Sequence, residues 1–229
     1  MPSYVSIIFI LTTLVTVGIF LYVIVKAGTD SLQGKLLFGF VLIWMVIQVV
    51  LANTGFFQDF DHLPPRTFAF GPLPFFVLIL TYLVFARRFL ESMPLAALTL
   101  IHTIRIPVEF VLLWLYQAGQ VPVEMTFEGS NFDILSGVTA PFVYFLAFRK
   151  GTVNRSLLIG WNIAALALLA NIVTIAILAF PSPFQTIGLD QPNIGVTYFP
   201  FVWLPSIIVP IVLFCHIASI WKLVGQRQP

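Results

Sequence analysis

Apolar residues run through this chain in long stretches, near 4–26, 35–55, 70–88, 93–117, 132–149, 156–180 and 198–222, separated by short polar segments. A bilayer-spanning helix needs about 20 mostly apolar residues, so each stretch is predicted to form one such helix. The segments between them hold turn formers, as in Ala27-Gly28-Thr29-Asp30, His62-Leu63-Pro64-Pro65 and Pro181-Ser182-Pro183. The pattern therefore predicts an all-α, polytopic membrane protein of seven transmembrane helices, forming one domain over residues 1–229. The first stretch, Ser3 to Val25, has neither a positive leader nor a small-residue cleavage site and is expected to remain as the first helix.

Charge changes this picture by giving it a direction. Lys26 and Lys35 flank the first connection, Arg87 and Arg88 the third, Arg149, Lys150 and Arg155 the fifth, and Lys222 and Arg227 the C-terminal end. Nine of the eleven basic residues thus fall on one side, which predicts an outer N-terminus and a cytoplasmic C-terminus in a cell membrane, the cytoplasmic membrane if the source is bacterial. The opposite side collects Asp59, Asp61, Glu124, Glu128, Asp133 and Asp190, so its mouth is expected to be acidic.

The two halves carry parallel signatures. Tyr22 to Thr29 reads YVIVKAGT and Phe145 to Thr152 reads FLAFRKGT; Leu73-Pro74 and Leu204-Pro205 open the third member of each set. These similarities suggest a parallel three-plus-one-plus-three repeat, with halves 1–90 and 130–225 joined by helix four at 93–117, or else chance likeness among apolar helices. The layout is similar to that of sugar-efflux transporters and microbial rhodopsins. The resemblance is one of layout alone, because the Pro-Gln pair of the transporters is absent and none of the four lysines lies mid-helix, where a retinal Schiff base needs one.

Composition then narrows the partners. The chain is 59% hydrophobic and 9% charged, with a net charge of +2 and no basic run, so a lipid bilayer is the expected partner and nucleic acid is not. The single cysteine, Cys215, excludes an intrachain disulfide and a Cys-based metal site. No nucleophile motif, phosphate-binding glycine loop or paired-carboxylate signature is present.

The exception to the apolar pattern is a stripe in the fourth stretch. At 100° per residue, His102, Arg105 and Glu109 fall within roughly 60° of one another. An isolated Arg at the bilayer centre costs at least ~2.5 kcal/mol, so the fold must compensate it. Arg105 and Glu109, four residues apart with Pro107 between them, are expected to pair along the helix. His216 on the seventh stretch lies at the depth of His102, both roughly 10–14 Å from the inner boundary. These two histidines are either hydrogen-bonded interior groups or the ligands of a haem or metal; no cofactor is otherwise predicted. Tyr116, Asp133 and Tyr144 complete the candidate substrate or ion site, with Asp133 read as either a helix cap or a vestibule carboxylate. Gln48, Asn53, Asn162 and Asn171 are expected to join helices by hydrogen bonds. The segment from Gln58 to His62, with Glu124 and Glu128, holds groups able to bind a divalent cation, although a solvated loop has the same composition.

Taken together, the stripe predicts a carrier or permease for a small polar or anionic molecule or ion, with Arg105 holding the ligand and Glu109 as counter-ion. Two alternatives stand beside it: an intramembrane haem- or metal-dependent enzyme using His102 and His216, and a seven-helix ligand sensor or accessory subunit. A second copy of the chain is a further partner that helix four is able to face.

Overall fold

In the computed structural model, which describes residues 2–225, all regular elements among the described residues are helical. The principal ones are α1 (Ser3–Gly28), α2 (Leu32–Asn53), α3 (Leu73–Phe85), α4 (Leu95–Gln117), α5 (Ile134–Ala147), α6 (Arg155–Leu178) and α7 (Leu204–Gly225). Five of them, α1, α2, α4, α6 and α7, are long and apolar enough to cross a membrane; α3 and α5 are apolar but shorter, at 13 and 14 residues. Backbone breaks limit α3, because Gly71 and Ala86 both leave helical geometry, so the expected stretch at 70–88 divides into α3 and the short helices Arg66–Phe70 and Arg87–Ser92. Helix α5 and its partner in the suggested repeat, α1, differ almost twofold in length, 14 against 26 residues.

The chain runs back and forth between two ends, each tied together by side chains that reach backbone carbonyls. At one end Ser92 Oγ donates to Ala27 O (2.8 Å), Lys222 Nζ donates to Met93 O (2.6 Å), Tyr82 donates to Gln33 O and Arg155 donates to Leu223 O. At the other end Gln58 donates to Thr197 O (2.6 Å), Asn171 to Ser130 O (2.8 Å) and Gln191 to Tyr116 O (2.8 Å) and Val121 O (2.6 Å). The basic residues counted from the sequence flank the first of these ends; Arg227 lies outside the described residues. Gln48 also crosses between elements, donating to Phe70 O (2.8 Å), whereas Asn53 bonds Val49 O (2.7 Å) within its own helix.

The interior is a continuous apolar core in which Phe9, Phe20, Phe75, Phe201 and Phe214 are buried. The outer surface is apolar too: Ile7, Leu11 and Val15 of α1, Ile43 and Val46 of α2 and Ile163 of α6 are all exposed. In water such contiguous apolar surface would drive association, whereas against lipid tails it carries no penalty.

Two irregular turns interrupt the long helices. Helix α4 tightens into a 3-10 turn at Ile101–Ile104, between α-helical pieces Leu95–Leu100 and Arg105–Gln117. Pro107 supplies no N–H to the turn before it, which relieves that turn of regular α-helical bonding. Helix α7 opens with a π-wound turn, Leu204–Ile208, which contains Pro205 and precedes a second proline, Pro210.

Candidate functional site

Helices α4, α5, α6 and α7 bring together the polar residues of their apolar spans. His102, Arg105, Glu109, Asp133, Asn162 and His216 are each 5% exposed or less. Arg105 is the hub. Its Nη1 donates to Asp133 Oδ1 at 2.6 Å and lies 3.4 Å from Ala165 O, and its Nη2 donates to His216 Nε2 at 3.1 Å. A guanidinium has no acceptor, so His216 Nε2 must accept and its proton must sit on Nδ1. That proton is directed at Asn162 Oδ1, 2.7 Å away, while the Asn162 amide nitrogen donates to Leu158 O at 2.7 Å. The network thereby fixes a neutral histidine in a single tautomer.

The pairing expected between Arg105 and Glu109 does not form. Asp133, read from the sequence as a cap or vestibule group, makes no side-chain cap to its helix and is the carboxylate that meets Arg105. The approach depends on Gly137, one turn into α5, where an added Cβ would stand 2.9 Å from the backbone nitrogen and side chain of Ile106. A missing side chain on α5 therefore lets that helix close on the Arg105 turn. Ser136 Oγ is a further donor to Asp133 at 3.3 Å. Glu109 is held instead by Asn131, whose amide nitrogen lies 2.8 and 2.7 Å from the two carboxylate oxygens and also donates to Met125 O at 3.0 Å. Asn131 Oδ1 accepts from the Asp133 backbone N–H at 3.0 Å, so one asparagine braces both carboxylates.

His102 and His216 meet as rings stacked 3.8 Å apart at 17°, and Trp161 places its edge toward His102 at 5.3 Å. Stacked rings direct their in-plane nitrogens side by side rather than at one point, and both nitrogens of His216 are already bonded. Neither ring nitrogen of His102 has a hydrogen-bond partner among the described residues. Tyr116 and Tyr144 lie apart from the cluster: the Tyr116 carbonyl accepts from Gln191, and the Tyr144 ring packs with Phe145 and Phe148. In the loop before α3, Asp59 is engaged by His62 and Arg66, each at 3.0 Å, and its carboxyl is held below the ordinary aspartate range by the His62 hydrogen bond first and by the Arg66 charge. Among the described residues no three His, Cys, Asp or Glu side chains converge as metal ligands.

Beside the cluster lies a cavity of about 330 Å³. Helices α3 and α6 flank it and α4 and α7 form its back, with the π-wound turn contributing Leu204, Pro205 and Ile208. Its lining is apolar apart from Thr67, Arg105, Glu109, Asp133 and Asn193. Leu73 and Ile177 belong both to this lining and to the exposed surface, so the cavity reaches the flank of the bundle between α3 and α6. Two of its lining residues each carry a buried polar atom without a hydrogen-bond partner among the described residues, Arg105 Nε and Asn193 Oδ1.

Sequence reasoning missed three of these residues as parts of a site. Asn131 and Asn193 fall in connections, where polar residues carry no signal, and Asn162 reads as a simple helix-to-helix hydrogen bond. The usable signal was that Asn162 and Asn171 are the two polar amides of an apolar α6.

No curated protein and no solved structure matches the chain. Residues 63–224 match a family described as a domain of unknown function (DUF8737), a span that takes in α3 to α7 and every residue of the cavity wall. More than half of the sequence lies in that match, and the chain belongs to this family.

Proposed function

We propose that this protein is a membrane carrier or permease for a small molecule with an apolar body and one polar or charged head. In this reading all seven principal helices cross the bilayer, with the N-terminus outside and the C-terminus in the cytoplasm, and α3 and α5 cross where the short helices and loops beside them complete the span. The three-plus-one-plus-three arrangement belongs to the same reading, with α4 as the linking helix. The observation that carries the proposal is the cavity: an apolar chamber of about 330 Å³ that reaches the flank of the bundle and has Arg105, Glu109 and Asp133 in its wall. Apolar walls with a few convergent polar groups are the usual form of a small-molecule site, and a flank opening admits a ligand dissolved in the membrane. Pro107 in α4 and Pro205 in α7 lie at the irregular turns of their helices, and such interruptions are what an alternating-access carrier uses.

The test is uptake by proteoliposomes across a panel of labelled amphiphiles with positive, neutral and negative heads. Arg105→Ala is expected to reduce uptake of the transported member by about tenfold or more. Equal uptake by empty, wild-type and variant liposomes for every member would overturn the proposal.

A second reading, a haem- or metal-dependent enzyme, draws on one observation, the two unpartnered ring nitrogens of His102. A Soret band or a stoichiometric transition metal in the purified protein would favour it over the carrier.

A further inference from the structure

The charges around the cavity are unbalanced. Arg105 is its only cationic lining residue among the described residues, against two carboxylates, Glu109 and Asp133. The guanidinium is neutralised by Asp133 at 2.6 Å. Glu109 has the Asn131 amide as its hydrogen-bond donor and forms no ion pair among the described residues. The charged groups that face it are Arg105 on its own helix and Asp133 at the start of α5. Helix α1, packed on α7 and α4, carries one charge, Lys26 at the far end; its Tyr4 meets Trp114, five positions beyond Glu109. On α6 and α7 the cations are Arg155 and Lys222, at the basic end.

A buried carboxylate whose one facing cation, Arg105, is already paired with Asp133 is costly in a medium of low dielectric constant. We infer that the cavity binds a lipophilic amine in its protonated form, its ammonium set against Glu109 and its tail along the apolar wall. This inference rests on the proposed ligand-binding role of the cavity and names the class of ligand. It replaces the anionic ligand that Arg105 suggests in isolation, because Arg105 already has its counter-ion. Ammonium N–H groups match the Glu109 carboxylate as charge-assisted donors.

The experiment uses the full chain in detergent and three probes that share one fluorescent tail: a primary amine, the corresponding alcohol and the corresponding carboxylic acid. The amine is expected to bind about tenfold or more tightly than the alcohol, and the acid more weakly still. Glu109→Gln should erase the preference for the amine while leaving the affinity for the alcohol within about threefold. Asp133→Asn is the second variant: it frees Arg105 to pair with Glu109 and should likewise remove the amine preference.

Alcohol or acid binding as tightly as the amine to the wild type, an amine preference that survives Glu109→Gln, or binding of none of the three would each overturn the inference. The two proposals fail separately. An amine that binds but is not taken up leaves the ligand class standing and removes the carrier; uptake of a neutral or anionic amphiphile without amine binding does the reverse.

Discussion

The molecule contains two clusters built from the same three residue types. In the loop before α3, Asp59, His62 and Arg66 meet within eight residues of chain, and Arg66 Nη2 lies 2.9 Å from His62 Nε2. In the interior, Arg105, Asp133 and His216 meet from three helices, with partners 28 and 111 residues distant in sequence. At the surface the aspartate is the centre and each group keeps water as an alternative partner. In the interior the arginine is the centre and no water replaces a lost bond, so each contact constrains the packing of a whole helix. Identical chemistry is therefore a local turn stabiliser in one place and a long-range clamp in the other, and burial makes the difference.

The contrast should be broken most sharply by removing the arginine from each cluster. Arg105→Ala leaves Asp133 and Glu109 buried without their only nearby cation and is expected to cost about 3–5 kcal/mol. Arg66→Ala should cost below about 1 kcal/mol. Thermal unfolding in a mild detergent, followed by circular dichroism, compares the two, and equal losses would show that burial is not the deciding variable.

A smaller effect tests how the interior cluster is assembled. Gly137→Ala places a Cβ 2.9 Å from Ile106, and the resulting displacement of α5 is expected to cost about 1–3 kcal/mol. Gly160→Ala in α6 meets nothing within 4 Å and should be neutral or stabilising by up to about 1 kcal/mol. If both substitutions behave alike in the same unfolding assay, close approach at Gly137 is not what holds Asp133 to Arg105.

Smaller again is the bond that orients the histidine. Asn162→Leu removes the acceptor for His216 Nδ1–H and should cost about 0.6–2 kcal/mol. Nitrogen-15 spectra of the ring should show a pure Nδ1–H form in the wild type and a mixture in the variant; an unchanged tautomer would mean that Arg105 alone sets it.

The surface cluster should respond to acid with the smallest effect. Because the folded-state pKa of Asp59 is lowered, its contribution is present above the ordinary aspartate value of 3.8 and is lost as pH falls through the lowered folded value. A carboxyl chemical-shift titration should place the Asp59 midpoint in the folded protein below that of Asp59 in an unfolded peptide of the same loop, and Arg66→Ala should raise it.

How much of this was legible in the sequence differs between fold and site. Apolar run length located the principal helices to within about three residues at each end, except for α7, which begins at Leu204 well inside its run, because that signal is carried by many side chains; the breaks at Gly71 and Ala86 that shorten α3 left no trace in it. Depth counting set His102 and His216 at the same level, since α4 leaves the end to which α7 returns. The partner of Arg105 was not legible. Spacing along a helix favours Glu109, whereas the actual partner depends on α5 approaching at Gly137, and close packing leaves no periodic trace in either helix. The asparagine braces were hidden for a related reason: Asn131 and Asn193 act from connections, where polarity is expected and so carries no information.

The 3-10 turn in α4 has one more consequence, which concerns rotation. Three residues complete a full turn in that geometry, so His102 sits directly in line with Arg105 along the axis. Were Ile101–Ile104 to relax to α-helical winding, the half of α4 toward Leu95 would turn by about 80° against the half toward Gln117, and the helix would shorten by about 2 Å. His102 would swing off the face of His216 while Arg105 kept its place. The tightened turn is thus a screw joint in the middle of the helix, and the stacked imidazoles are the mark of its present setting.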